Sequence, residues 1–446
     1  MKIGSISRNL AAVLAGTFLL TCGAFAQGAG SAASNQVAEF DVNGLKVLLK
    51  HRPGTPTVAA GLFFRGGARN LTADNAGIEN LTLNAAAEAS KNYPRQKLRK
   101  ELSRIGTVIS SGVNYDYSTL ALVSTKQNFD TSWKVFADVA VNPTFAPEDV
   151  ERVRQTMING LRSQTDSPEG QLEDQSNKVV YAGHPYLNDP DGTVDSISKL
   201  KATDLAAWHK KMIETSRMLL VVVGDVDPDT LKDRVAAAFG TLPKGSYKDT
   251  ALPALNFSEN TLDVSSKTVQ TDYVKGVFAA PSLRDPDYYA MRTAITMLQT
   301  AVFEEVRTKR NLSYAPDAEL DSFGANTANI SVTSVNPNEA VRIMLGEIQK
   351  LRQSPVDEDT IARMAGFFLT TYYLKEETNA AQAGELAQYE LIGGGWRNSL
   401  DFLDKMRKVK PTEIQAAANK YMGRVRFVVV GNPADVNRSI FLQTAN

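Results

Sequence analysis

Two stretches of this 446-residue chain resemble each other, and their spacing constrains the fold more than any other feature. RMLLVVVGDVDPD begins at Arg217 and VRFVVVGNPADV begins at Val425, and each has the pattern of a buried strand that ends in a glycine turn. Each stretch also follows a short helix that opens with a threonine and an acid. Because Gly224 and Gly431 stand 207 residues apart, the pattern predicts a duplicated unit of about 200 residues.

A linker is expected between the two copies. The segment LPKGSYKDTALPALNFSEN, residues 242–260, has the Pro, Gly, Ser and Lys content of an exposed connection. It divides the chain into an N-terminal half, residues 36–241, and a C-terminal half, residues 261–446.

Each half combines clusters of strands with longer helical blocks. VAEFDVNGLKVLLKHR, from Val37, predicts a hairpin that turns at Asn43-Gly44. ANISVTSV, from Ala328, predicts a half-buried strand, and EAVRIMLGEIQKL, from Glu339, predicts a helix with one apolar face. Hairpins together with helical blocks predict the α+β class, with a mostly antiparallel sheet covered by helices in each half.

The first 26 residues have the layout of a secretory signal. Lys2 and Arg8 precede an apolar run from Leu10 to Leu20, and Ala24-Phe25-Ala26 forms a cleavage site of the expected type. We therefore expect an exported, periplasmic protein whose mature chain starts near Gln27.

Cys22 is the only cysteine, so a mature chain without it cannot use disulfides, a cysteine nucleophile or cysteine-ligated zinc. Its position in LLTC leaves lipid attachment as an alternative to simple cleavage. Without Lys2 and Arg8, the chain carries 47 basic and 49 acidic residues, which excludes the charge excess of a nucleic-acid-binding protein. No later window holds the roughly 20 apolar residues of a membrane helix, so no integral membrane segment is expected in the mature chain.

A helix is predicted over GIENLTLNAAAEAS, from Gly77 to Ser90. The stripe that should pack inward holds Ile78, Leu81, Thr82, Ala85 and Ala89. The other stripe holds Asn80, Leu83, Asn84 and Ala87, which have the spacing of an inverted zinc motif. In that motif two histidines four residues apart bind zinc, and a glutamate before the second acts as a base. By itself, the pattern also fits polar residues on an ordinary exposed helix face.

The chain resembles the pitrilysin or insulinase family of zinc peptidases, with the layout of the two-half bacterial members and the mitochondrial processing peptidase subunits. The resemblance rests on GLFFRGGARN, GIENLTLN, APEDVERVRQTM, the HPY at His184 and the repeated VVVG strand ends. It implies two homologous halves that form a clamshell. It also implies that Asn80 and Asn84 occupy the positions of the zinc-binding histidines, Leu83 that of the catalytic glutamate, and Gly160 that of the third zinc ligand.

The residues at those four positions cannot perform the family's chemistry. Zinc binds imidazole nitrogen, thiolate or carboxylate, whereas amides are poor ligands, glycine has no side chain and leucine cannot accept a proton. Nothing would then ionise a bound water, and we expect no intact catalytic residue, no metal and no cofactor in this chain. His51, His184 and His209 lie far apart in sequence, and we interpret them as ordinary structural or surface histidines.

The resemblance also implies a substrate-binding role for Arg307 and Tyr314, in VFEEVRTKRNLSYAP. Family members carry an Arg at a helix end and a Tyr at this spacing, entering a strand, and both reach a substrate at the zinc. A guanidinium can bind a peptide carbonyl or carboxylate, and a phenol can stabilise an oxyanion. Considered locally, a surface Arg and a Tyr that packs its ring remain the alternative interpretation.

Together these features predict a non-catalytic subunit of an exported heterodimeric zinc peptidase. It would supply half of a peptide-binding chamber, with Arg307 and Tyr314, to a homologous partner that carries the zinc. The alternatives are a stand-alone peptide-binding or structural assembly protein derived from the peptidase fold, and an active enzyme with an unconventional site.

Overall fold

A computed structural model describes residues 37–443 of the chain. The predicted signal segment, residues 1–26, and Cys22 within it lie outside the described residues. Helices and two mixed sheets make up the described part, which confirms the predicted α+β class. No helix in residues 37–443 has both the length and the apolar composition needed to cross a membrane.

The first sheet has six strands in the order β1-β2-β6-β3-β5-β4. They are β1 (Val37–Val42), β2 (Leu45–His51), β3 (Thr57–Arg65), β4 (Val108–Val113), β5 (Tyr117–Thr125) and β6 (Met218–Gly224). All neighbours are antiparallel except β2 and β6. The β1–β2 hairpin turns at Asn43 and Gly44, whose φ angles of 52° and 85° are the left-handed conformations that a tight hairpin turn requires.

The second sheet has five strands in the order β7-β11-β8-β10-β9. They are β7 (Thr261–Ser266), β8 (Asp272–Ala279), β9 (Asp317–Leu320), β10 (Thr327–Ser334) and β11 (Arg426–Gly431). Only β7 and β11 are parallel. Strand order and directions therefore repeat those of β2-β6-β3-β5-β4, and the two similar sequence stretches form the equivalent strands β6 and β11.

Eight helices belong to the N-terminal half: α1 (Ile78–Ala86), α2 (Arg95–Ile105), α3 (Phe129–Val141), α4 (Pro147–Asp166), α5 (Pro168–Val180), α6 (Val194–Lys199), α7 (Ala202–Met212) and α8 (Pro228–Phe239). Eight follow in the C-terminal half: α9 (Tyr288–Val302), α10 (Pro337–Gln353), α11 (Glu358–Lys375), α12 (Asn379–Ile392), α13 (Arg397–Leu400), α14 (Phe402–Arg407), α15 (Pro411–Tyr421) and α16 (Arg438–Phe441). Helices α3 and α8 pack on one face of the first sheet. Helices α9, α10 and α15 pack on one face of the second sheet. The helix predicted from Glu339 is α10, and its apolar face is buried as expected.

The other face of each sheet is covered by a helix from the opposite half. Helix α12 packs on β3 and β6, and helix α5 packs on β8 and β11. Ala383, Leu386 and Ala387 of α12 contact apolar side chains of the first sheet, while Leu172 of α5 contacts Val428 and Val430 of β11. Because both faces are covered, β6 is a continuous buried strand, as its sequence predicts.

Residues 242–260 form no helix or strand, in keeping with a connecting segment. They are nonetheless docked, because Leu252, Leu255 and Phe257 pack against a cluster that includes Tyr181 and Tyr186. The connection therefore runs along the junction of the two halves.

Candidate functional site

Helix α1 is held between the first sheet and the helices beside it. It contacts β4 and β5 on one side and α4 and α7 on the other. Leu81 and Ala85 belong to a cluster with Val150 and Val153 of α4. The stripe predicted to pack inward is buried as expected, and the helix ends at Ala86, earlier than the predicted Ser90.

Consecutive hydrogen bonds link the two asparagines of α1 to Asp191, and we call this group the amide chain. Asn84 Nδ2 donates to Asn80 Oδ1 at 2.6 Å and to the Asn80 backbone oxygen at 2.9 Å. Asn80 Nδ2 donates in turn to Asp191 Oδ1 at 2.7 Å. Asp191 was not singled out from the sequence, because a carboxylate 111 residues away in an acidic turn carries no signal that it faces α1.

Leu83, which the sequence places on the same stripe as the two asparagines, is buried, whereas the asparagines are half-exposed. Its side chain is 2% exposed and belongs to the core cluster under the first sheet. Helix α1 is buried on two sides, because Leu83 faces the sheet and Leu81 faces α4. Gly160 lies exposed on α4, and a Cβ built there would meet no atom within 4 Å.

The loop that carries Asp191 also places a second carboxylate nearby. Asp189 is half-buried and accepts a 2.8 Å hydrogen bond from the Asp191 backbone N–H. Burial raises the pKa of Asp189 to about 6, so this carboxyl titrates closer to neutral pH than an ordinary aspartate.

Arg307 and Tyr314 are brought together. Arg307 lies in the π-helical turn Phe303–Thr308 that continues α9, and its Cζ lies 4.7 Å from the centre of the Tyr314 ring. Its Nη1 donates to Asn311 Oδ1 at 2.7 Å. Tyr314 is 81% exposed and does not enter a strand as expected, because β9 begins only at Asp317.

The Arg–Tyr pair and the amide chain are separate within residues 37–443. No hydrogen bond, ion pair or ring contact in that range joins Arg307 or Tyr314 to Asn80, Asn84 or Asp191. The exposed Tyr314 ring and the half-exposed Arg307 side chain are accessible from outside the chain.

Two family models match the chain. "Insulinase (Peptidase family M16)" matches residues 46–189, and "Peptidase M16 inactive domain" matches residues 199–365. The chain belongs to the insulinase family. The sequence resemblance to this family is thus confirmed.

Relatives of this insulinase-family chain include named proteases. The zinc protease PqqE of Helicobacter pylori is 21% identical over 439 residues, which cover 94% of this chain and 97% of that protein. The crystal structure of a peptidase M16 inactive domain from Pseudomonas fluorescens superposes with a TM-score of 0.82 at 19% identity, covering 89% of this chain and 98% of that one. The first half of the periplasmic protease PqqL from Escherichia coli gives a TM-score of 0.72 at 12% identity, covering 91% and 95%. Against the full PqqL chain, the match covers 49% of that chain.

The residues at the positions that the sequence resemblance relates to a zinc site do not fit zinc. The Asn80 and Asn84 amides are engaged with each other and with Asp191, Leu83 faces the core, and Gly160 offers no donor. In residues 37–443, no group of three or more His, Cys, Asp or Glu side chains is placed to hold a metal ion. Chemistry through a metal cannot be derived from this donor set.

The three histidines have structural contacts. His184 is buried, and its Nδ1 accepts from the Tyr186 backbone N–H at 3.1 Å. His209 is buried, with Nε2 2.8 Å from the Ala140 carbonyl oxygen. Burial lowers the pKa of both imidazoles. His51 lies 3.4 Å from Asp225 near the protein surface.

Asp116 joins the two halves and was also missed from the sequence. Its buried carboxylate accepts from Arg69 Nη2 at 2.8 Å and from Tyr186 Oη at 2.6 Å. It also accepts from the Gly324 backbone N–H of the C-terminal half at 2.8 Å. Tyr115 stacks on Tyr186 beside this carboxylate. Nothing in the local sequence distinguishes Asp116 from an ordinary turn aspartate, because its partners come from three distant segments.

Proposed function

We propose that this chain is the non-catalytic subunit of an exported heterodimeric zinc peptidase, and that a homologous partner carries the zinc. The observation that carries this proposal is the amide chain at the metal positions of a peptidase-family fold. A protein that kept its own cleavage site would need ionisable ligands there. The side chains of Asn80 and Asn84 are instead hydrogen-bonded to each other.

The exposed Arg307–Tyr314 pair supports a contribution to substrate binding. Arg307 retains guanidinium donors beyond the bond to Asn311, and these can bind a peptide carbonyl or carboxylate. The Tyr314 hydroxyl has no hydrogen-bond partner within residues 37–443, so it is free to donate to a bound peptide. Both groups project where an approaching chain could reach them.

The edge strand β4 supports peptide binding by the same subunit. It is outermost in the first sheet, pairs only with β5 among the described strands, and contacts α1. An unpaired strand edge presents backbone donors and acceptors to which an extended peptide can add. A peptide on β4 would lie beside the amide chain without being cleaved there.

The length of PqqL supports a paired assembly. The chain matches 49% of the PqqL chain, so the other half of that protein lies outside the match. We infer that a separate zinc-bearing subunit takes the place of that other half here. We also infer export to the periplasm from the predicted signal segment, and PqqL is itself a periplasmic protease.

The experiment mixes the purified chain with a zinc-bearing homologue from the same organism and measures cleavage of a fluorogenic peptide set. We expect the mixture to cleave faster than either protein alone. Replacement Arg307→Ala should lower kcat/KM of the mixture about tenfold to a hundredfold, because a hydrogen bond from a charged group contributes about 1.5–3 kcal/mol. The matched control is Arg310→Ala, which removes a neighbouring exposed arginine that pairs with Glu305 instead.

The proposal is contradicted if the homologue cleaves peptides at the same rate with and without the added chain. If the chain binds peptides alone and ignores the homologue, a stand-alone peptide-binding protein is the correct description. Stoichiometric zinc in the purified chain, with hydrolysis abolished by a chelator, would establish an active enzyme.

A further inference from the structure

Helix α12 is fastened to the first sheet by side chains on one face of β2. Lys46, Leu48 and Lys50 alternate along the strand and therefore point to the same face. Lys46 Nζ donates to Glu390 Oε1 of α12 at 2.8 Å, and Leu48 packs in the apolar cluster with α12. Lys50 lies farther along this face, toward the start of α12.

Two carboxyls of the C-terminal half lie at that end. Glu376, in the turn between α11 and α12, is 8% exposed, and neither of its carboxylate oxygens has a hydrogen-bond donor within residues 37–443. Glu385 of α12 accepts from Tyr372 Oη at 3.3 Å. Glu376 and Glu385 lie within hydrogen-bonding reach of each other, but two ionised carboxylates are both acceptors. A bond between them requires that one carboxyl keeps its proton.

Charge balance supports a single retained proton. Lys50 Nζ makes no hydrogen bond or ion pair within the described residues, and its charge acts on both glutamates. Lys375 also acts on both glutamates, but it is exposed, so solvent screens its charge. Lys50 is half-buried, and together with Lys50 one retained proton makes the three groups neutral.

Other charged and titratable groups near the pair do not supply a second compensating contact. Those that face the pair or line the same small cavity are Lys375 and Tyr372 of α11, Tyr288, Tyr289 and Arg292 of α9, Tyr389 of α12, and Arg52 after β2. The strands β3 and β6 present apolar residues to α12, among them Phe63, Val221 and Val223.

The start of α12, next to this turn, also contacts the N-terminal half directly. Asn379, the first residue of α12, donates from Nδ2 to the Thr57 backbone oxygen at 2.7 Å and accepts from Arg52 Nη1. Loss of charge balance at Glu376 therefore acts on the segment that holds α12 on the first sheet.

We propose that Glu376 and Glu385 share one proton and form, with Lys50, a pH-dependent latch that holds the start of α12 on the N-terminal half. When the proton leaves, only the exposed Lys375 remains to balance the second carboxylate, and the latch loosens. The proposal does not depend on whether the chain has a catalytic partner.

The direction of the pH effect follows from the shifted groups. Burial, together with the charge of Glu376, raises the pKa of Glu385 to about 8, from an ordinary value of 4.5. Burial also raises the pKa of Glu376 and lowers that of Lys50. Because the folded state holds this proton more tightly than the unfolded state, the latch is strongest below pH 4.5. It weakens as the pH rises toward 8 and changes little above that.

The test measures hydrogen exchange of peptides from α12 in the full chain between pH 5 and 9, corrected for intrinsic exchange rates. In the wild type, the equilibrium constant for local opening should rise by up to about tenfold per pH unit below pH 8. Glu385→Gln, which mimics the protonated carboxyl, should remove this rise and protect α12 better than the wild type at pH 8. Glu390→Gln is the control, because it weakens the Lys46 contact and should increase opening by the same factor at every pH.

A second variant addresses the lysine. Lys50→Met removes the counter-charge, so the pair should hold its proton more tightly and the opening transition should move to higher pH. Equal slopes for the wild type and Glu385→Gln would overturn the proposal. So would a Glu385→Gln chain that is unfolded or less protected than the wild type at pH 8, or a Lys50→Met transition that is unshifted or lies at lower pH.

Discussion

Asn80, Asn84 and Leu83 define the contacts of α1 at the candidate site. The two amides bond to each other, and Asn80 also bonds to Asp191. Leu83 adds apolar contacts to the core under the first sheet. The helix therefore contributes both hydrogen bonds and apolar packing from adjacent positions.

Leu83→Ala should lower the free energy of unfolding by about 2–5 kcal/mol, because it leaves a void in a packed cluster. Asn84→Ala, at the next residue of α1, should cost about 1 kcal/mol, since it removes hydrogen bonds at a half-exposed position. Urea denaturation of the two variants checks the contrast. Equal losses would show that Leu83 does not face the core.

The sequence singled out Asn80, Leu83 and Asn84 but did not predict the surroundings of each residue. Helical periodicity places Leu83 near Asn80, yet it does not show that α1 is covered on two sides, by the sheet and by α4. Asp191 and Asp116 were not predictable, because their roles depend on contacts with segments far away in the chain. The family resemblance singled out Arg307 and Tyr314, and the structure brings those two side chains into contact.

Among the helices and strands, α1 is anchored to the sheet by a buried ion pair. Glu79 and Arg217 are 2% and 3% exposed and bond directly to each other. Glu79 also accepts from Ser118 Oγ of β5 at 2.8 Å, and Arg217 Nε donates to the Arg65 backbone oxygen at 2.9 Å. These bonds connect α1 to β5, to the end of β3 and to the residue that precedes β6.

Glu79→Ala should destabilise the protein by about 3–5 kcal/mol, because it leaves the Arg217 charge buried without a partner. Asp195→Ala, which breaks an exposed pair with Lys199 on α6, should leave the unfolding free energy unchanged within error. Thermal and urea unfolding of both variants provide the measurement. A stable Glu79→Ala chain would mean that the pair does not anchor α1.

Most of the strands and helices were predictable because their patterns are local. The strands β6 and β11 are continuous apolar runs, and α10 has a clear apolar face. The partners of α5 and α12 were not predictable, because an apolar stripe shows that a helix is covered and does not show which sheet covers it.

At the level of the complete chain, the two halves are bound by reciprocal helices as well as by the connecting segment. Helix α5 covers the second sheet, and α12 covers the first. Neither sheet can therefore bury both of its faces with helices from its own half. Asp116 and the docked residues of 242–260 add contacts along the same junction.

Residues 37–241 and 242–443, expressed separately, should each give aggregating or poorly folded material, since each exposes one apolar sheet face. Expressed together, they should associate into a soluble complex. Size-exclusion chromatography and circular dichroism distinguish the two cases. A soluble, cooperatively folding fragment 37–241 would contradict this expectation.

The reciprocal helices also bear on how such a chain can evolve. After the ancestral unit was copied, each copy came to depend on a segment encoded within the other. Deleting either copy would then remove a structural part from the survivor, so the gene cannot be shortened to a single copy.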